Sequence, residues 1–230
     1  MGTQLDNELE RLQDELMALG AIVERTIIES VEVLKERKME EAKRLIEADS
    51  EINRKRYSIE WDSLVLIARQ QPMAKNLRNV AAILEIVSEL ERIADYAKGI
   101  AKISIRIGSK PLIKPLVDIP RMATLASDML HGALVSFIDR DVEAARSIPA
   151  QDRQIDNLYD QIYRELMTYV LSDPRNIDDA SHLLWVAHNL ERSADRAVNI
   201  CERVIFTVTG DLIEFQDLDD NPNGGRNLRL

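Results

Sequence analysis

The chain has 230 residues, with 40 Asp and Glu against 30 Lys and Arg, a net charge of −10 and only 4% aromatic residues. Scarce Gly and Pro amid abundant Leu, Ile, Ala, Glu and Arg make a helical composition; the acid excess excludes a nucleic-acid-binding class, which needs a basic face, and favours cations or a basic partner. One cysteine, Cys201, precludes an intrachain disulfide and fits a reducing compartment, while the absence of a readable signal peptide or of any apolar run near the ~20 residues that span a bilayer predicts a cytoplasmic chain with no membrane insertion.

Leu5, Leu9, Leu12, Leu16, Leu19, Val23, Ile27, Val31 and Leu34 alternate three- and four-residue steps. That spacing lays one apolar stripe along a first long helix, closed by Arg37-Lys38 at the negative end of its dipole. A second helix runs from about Met39 to Gln71 and stops at Pro72. A third spans about Asn76 to Ile107 and ends at Gly108, a C-terminal cap glycine. The segment Ser109-Lys110-Pro111-Leu112-Ile113-Lys114-Pro115, with Pro120 soon after, reads as a linker.

The pattern then restarts. Met122, Leu125, Met129, Ala133, Leu134 and Phe137 form a fourth stripe. Arg140-Asp141-Val142-Glu143-Ala144-Ala145 echoes Arg37-Lys38-Met39-Glu40-Glu41-Ala42, Asp152 to Asp156 echoes Asp49 to Asn53, and Pro174 echoes Pro72. A sixth helix ends before Gly210. The offset between the copies drifts only from 103 (Arg37 to Arg140) to 100 (Leu90 to Leu190). A period that long suits a duplicated domain, not a solenoid. The expectation is an all-α fold of six long helices in two tandem pseudo-symmetric three-helix bundles, 1–110 and 118–212, with an acidic, frayed tail over 213–230.

Leu90-Glu91-Arg92-Ile93-Ala94-Asp95 returns as Leu190-Glu191-Arg192-Ser193-Ala194-Asp195. Each copy sets two carboxylates one helical turn apart, a spacing that destabilises a helix by roughly 0.2–0.5 kcal/mol. On a helical wheel Ile83, Val87, Leu90, Ala94, Ala97 and Ala101 are central, and Glu91 and Asp95 fall on the shoulder, about 100–140° round, with Arg92, Glu85 and Tyr96 further out. Leu183, Ala187, Leu190, Ala194, Ala197 and Cys201 repeat that centre, with Glu191 and Asp195 at the same shoulder. The preceding helices add Asp152 and Asp156 in one half, and Asp49 and neutral Asn53 in the other.

Two readings follow. In one, three or four carboxylates converge on a groove in each half and hold a hard or borderline cation such as Mg, Mn, Fe or, less happily, Zn. In the other, the acids pair with neighbouring Arg or Lys, and Asp49 and Asp152 cap or kink a helix start. Duplication at a matched wheel position brings the two readings level. The absence of Glu-x-x-His argues against an oxygen-activating di-iron enzyme, and there is no phosphate loop, nucleophile elbow or zinc spacing. His188, a turn before Glu191, reads as a solvated helix histidine, with an added metal ligand as the alternative; Cys201, Trp61 and Trp185 read as packing residues.

These residues, in order and twice, resemble the PhoU family of phosphate-signalling regulators: Gln71-Pro72, Glu89 to Asp95, Glu165-Leu166-Met167-Thr168-Tyr169-Val170, Leu190 to Asp195, and Asn199-Ile200-Cys201-Glu202. The resemblance covers roughly Leu5 to Gly210. It implies multinuclear metal sites on Glu91, Asp95, Glu191 and Asp195, with Asp49, Asp152 and Asp156 from the preceding helices. It further implies a non-enzymatic regulator that couples the ATPase subunit of the membrane phosphate transporter to a sensor histidine kinase and holds the phosphate-starvation response off. Wide apolar stripes on long helices add the expectation of a homodimer. A catalytic carboxylate-bridged metalloprotein and a purely structural bundle are the rival classes.

Overall fold

The computed structural model describes residues 3–215. Among them are seven α-helices, one 3-10 turn and no strand: α1 (Gln4–Glu36), α2 (Met39–Gln70), α3 (Lys75–Ile107), α4 (Asp118–Asp139), α5 (Val142–Ser147), α6 (Pro149–Ser172) and α7 (Ile177–Thr209), the turn being Pro174–Asn176. The fold is therefore all-α, as the stripes predict, with one amendment. The fifth predicted helix is two pieces, because Pro149 lacks the amide that would continue the ladder and so opens a new helix. Its counterpart in the unbroken α2 is Ile46.

Helix ends follow local chemistry. Thr3 opens α1 with a capping box: its hydroxyl accepts from the Asp6 amide at 3.2 Å, and the Asp6 carboxylate accepts from the Thr3 amide at 2.8 Å. Arg37 closes α1 in the left-handed region at φ 57°, with the next amide, Lys38, donating five residues back to the Val33 carbonyl at 2.9 Å. Arg140 closes α4 the same way, at φ 57°, with Asp141 donating to Ser136 at 3.0 Å. The duplication thus reaches the backbone torsions. Gly108 (φ 68°) and Gly210 (φ 84°) terminate α3 and α7, where a side chain would be strained.

The stripe residues of α1 from Leu9 to Leu34 are buried, and so are those of α7 and, except for the half-buried Leu125, those of α4. α1, α2 and α3 pack together, as do α4, α6 and α7. The two halves are joined by α1 against α4 and α3 against α7, so each joining helix meets its own counterpart. One continuous apolar core runs through both halves, from Leu12 and Ile27 to Leu134 and Leu190. At Gly20 the α1–α4 approach is so close that an added Cβ would lie 2.3 Å from Leu134 Cδ1.

One ion pair recurs with altered surroundings. Arg11 reaches Asp62 at 2.9 Å from an exposed position. Its counterpart in the second half, Lys114 to Glu165, is formed by a linker lysine whose side chain is only 6% exposed. Two expectations are corrected here. Trp61 and Trp185 are not packed in the core but are 66% and 60% exposed. The tail does not fray from 213, since Ile213 and Phe215 pack against the core and the Phe215 amide donates to Glu202 at 2.9 Å; residues 216–230 lie outside the described residues.

Candidate functional site: two acidic strips

Each strip forms where the shoulder of one long helix faces its neighbour: α3 against α2 in the first half, α7 against α6 in the second. In the first half the buried Asp49 lies in the middle of α2 and caps nothing. Its Oδ2 accepts from Lys98 Nζ at 2.6 Å and from Asn53 Nδ2 at 3.1 Å. The same ammonium reaches Asp95 Oδ1 at 3.4 Å. Glu91 is met by Arg56 at 3.6 Å, and Arg56 is itself held by Glu60 at 2.8 Å. Hydrogen bonding to Asp49, and then the charge of that carboxylate and of Asp95, raise the Lys98 ammonium above its ordinary range despite partial burial.

The second half has acids at the matched positions, with Asp156 where the first has Asn53, and different neighbours. Asp152 stands in the first turn of α6, which Pro149 opens, with Asp156 one turn on. Burial, followed by the charges of Asp156, Asp195 and Glu191, pushes the Asp152 carboxyl up to about 7. Burial also raises Asp156, Glu191 and Asp195, with the Asp195 charge adding to the first two. Countercharge comes from Arg192, Arg196 and His188, which act on Asp195. Arg192 lies 3.3 Å from Asp195, and His188 Nδ1 approaches Glu191 Oε2 at 3.1 Å without a hydrogen bond reaching that oxygen. Asp152 Oδ1 is likewise buried with no partner. His188 is half-exposed, as expected for a solvated histidine, and packs edge-on to Trp185 at 5.8 Å.

A groove of about 550 Å³ runs beside Asp152, Asp156 and Asp195 and is also lined by Phe215. Its far wall is a polar seam between α3 and α7 that the wheel did not anticipate: Glu85 pairs with Arg203 at 2.9 Å, and Glu89 lies 3.5 Å from Arg196 and accepts from Asn199 at 3.4 Å. Glu85 thus reaches Arg203 of α7 while remaining exposed, as its outer wheel position predicts. The sequence signal for this seam was present, because Glu85, Glu89, Arg196, Asn199 and Arg203 keep helical spacing on one side of each helix. Lys98 and Arg56 were missed as well, although Lys98 lies a turn from Asp95 and Arg56 a turn from Asn53.

A duplicated three-helix unit with a carboxylate strip on each half, fused through one core, defines the class. A family model described as the PhoU domain matches residues 16–104 and again 119–204. Over 94% of its length the chain is 36% identical to a phosphate-specific transport system accessory protein PhoU homolog of Aquifex aeolicus, of which it covers 98%. It is 33% identical to the PhoU accessory protein of Escherichia coli K12 over 90% of this chain and 86% of that one. The crystal structure of the phosphate transport system regulatory protein PhoU from Streptococcus pneumoniae matches with a TM-score of 0.85 and 32% identity, over 92% of this chain and all (100%) of that one. The chain belongs to the PhoU family.

Among the described residues no three His, Cys, Asp or Glu side chains already stand as a metal-ligand set. The second strip nevertheless fits a cation in charge and donor type: Asp152, Asp156, Glu191 and Asp195 are hard oxygen donors, and two of them carry an orphaned buried oxygen. The first strip does not, since Lys98 and Arg56 already stand against its three acids. No helix among the described residues is long and apolar enough to cross a membrane.

Proposed function

We propose that this protein is a non-enzymatic, peripheral cytoplasmic regulator of phosphate uptake and signalling. In this reading it couples the ATPase subunit of the phosphate transporter to a sensor histidine kinase and represses the phosphate-starvation response. The observation that carries the proposal is the full-length match, in both repeats, to proteins named as accessory to phosphate-specific transport. Deletion of the gene should raise alkaline phosphatase in phosphate-rich medium, and an unchanged level in a strain without a paralogue would overturn the reading. The homodimer belongs to the same proposal: Tyr57, Trp61 and Leu64 are 60%, 66% and 54% exposed along one face of α2. Light scattering at micromolar concentration tests it.

A divalent or iron-type ion in the second strip completes the proposal. When bound it would supply the positive charge that Asp152, Asp156, Glu191 and Asp195 lack. These side chains must rotate inward to hold it, tying α6 to α7; the protein's own part is to keep four acids on two rigid helices at the mouth of a groove. An ion bound only by the folded state adds about 2.7 kcal/mol at a concentration 100-fold above Kd. The Glu191→Gln/Asp195→Asn variant should lose that metal-dependent rise in Tm. Retention of the rise would assign the metal elsewhere.

A further inference from the structure

We infer that Lys98 and Arg56 are built-in countercharges that make the first acidic strip independent of metal, leaving the molecule with a single metal-responsive half. The inference rests on the metal reading above for the second half alone. The two strips differ at three register positions that bear directly on Asp49, Glu91 and Asp95. Lys98 corresponds to Val198, Arg56 to Tyr159, and Asn53 to Asp156. Each of these three places more positive, or less negative, charge on the first strip, whereas Arg153, His188 and Arg196, where the first half has Ser50, Ser88 and Tyr96, add positive charge at the margin of the second. Arg92 and Arg192 correspond to one another, so that pair does not account for the difference.

Geometry makes the substitution specific. Lys98 Nζ lies 2.6 Å from Asp49 and 3.4 Å from Asp95, bridging α2 to α3 as a shared ion would. Its side chain is 23% exposed and that of Asp49 10%, so an entering cation would first have to expel an ammonium from a largely dry contact. Arg56 is kept over Glu91 by Glu60 and by stacking on the Tyr57 ring, 5.0 Å to its centroid. Space agrees with charge. The cavity beside Asp49 and Lys98 is about 110 Å³, against about 550 Å³ beside Asp152. At the second strip the equivalent of the ammonium is the isopropyl group of Val198, which has no charge to give. An acid strip that carries its own ammonium keeps the same shape whether metal is abundant or scarce.

The test uses Mn2+ as probe on the full chain, chelator-stripped and dialysed, read by calorimetric titration and by Tm. Wild type should bind Mn2+ only through the second strip: Glu91→Gln/Asp95→Asn retains full stoichiometry and Glu191→Gln/Asp195→Asn abolishes it. Loss of metal in the first of these variants overturns the inference. The triple variant Asn53→Asp/Arg56→Tyr/Lys98→Val, which gives the first strip the residues of the second, should gain Mn2+ beyond the wild-type stoichiometry; no gain in a folded triple variant overturns the inference. If wild type binds no Mn2+, the metal reading of the second half fails, and the triple variant still decides this inference by gain or no gain. Should the triple variant not fold, Lys98→Met in the Glu191→Gln/Asp195→Asn background takes its place. It is expected to acquire an Mn2+-dependent rise in Tm that its background lacks, and absence of that rise overturns the inference.

Discussion

The two halves share torsions, stripes and carboxylate spacing, and they part at the neutralisation of those carboxylates. The first strip is closed by Lys98 and Arg56; the second holds four acids whose carboxyls burial raises, and faces a groove. The lesson is that a backbone copied to within matching left-handed caps leaves electrostatics free to diverge through three side chains.

The sharpest way to break that comparison is Lys98→Met. Removing one partner of a mostly buried pair strands Asp49, and about 3 kcal/mol should be lost, measured by chemical denaturation in chelator. No residue of the second strip should show a loss of that size in chelator, since Arg192 meets Asp195 at 3.3 Å from a 41% exposed position.

Next comes the recurring bridge. Lys114→Met should cost about 2 kcal/mol, because its side chain is buried against Glu165, whereas Arg11→Met should cost less than about 0.5 kcal/mol at a half-exposed pair. Equal losses would mean that burial does not separate the two halves here.

Asp152→Asn should act in the opposite direction. The carboxyl takes up its proton near 7 when folded and near 3.8 when unfolded, so the metal-free folded state binds more protons between those values. Stability therefore falls as pH rises from about 4 to 7 and is level above that range. Discounted for solvent screening, the variant should be more stable by about 1 kcal/mol at pH 8, with the advantage shrinking toward pH 4. Thermal melts across that range check the sign. The smallest effect belongs to Thr3→Ala, which removes a capping box that α4, opened by Val117, never had; only a slight fall in Tm is expected.

Much of the fold was legible because periodicity reports burial. The α1 stripe, the glycine caps at Gly108 and Gly210 and the buried Cys201 follow from spacing and from the torsions only glycine adopts freely. The break before α6 was written in Pro149 but is masked by a good helical pattern on either side. The strips were legible as carboxylates and illegible as electrostatics. Asp49 and Asp152 look alike in the sequence, and only packing reveals that Lys98 bends onto one while Val198 lies beside the other. The exposed tryptophans fail for a related reason: wheel position sets the face of a helix, but the neighbouring helix decides whether that face is covered.

The seams of α1 on α4 and α3 on α7 carry one more consequence. Helices meeting their own counterparts are what a two-fold homodimer presents, and here the pair is held on one chain by a linker whose Lys114 is pinned to α6. Tethering replaces association between molecules with a fixed, high effective concentration. It also lifts the rule of a true dimer that every substitution appears on both sides. A mutation such as the one separating Lys98 from Val198 can be tried on one side while the other keeps its earlier chemistry, so asymmetry of response is open to this fused pair in a way it is closed to two identical subunits.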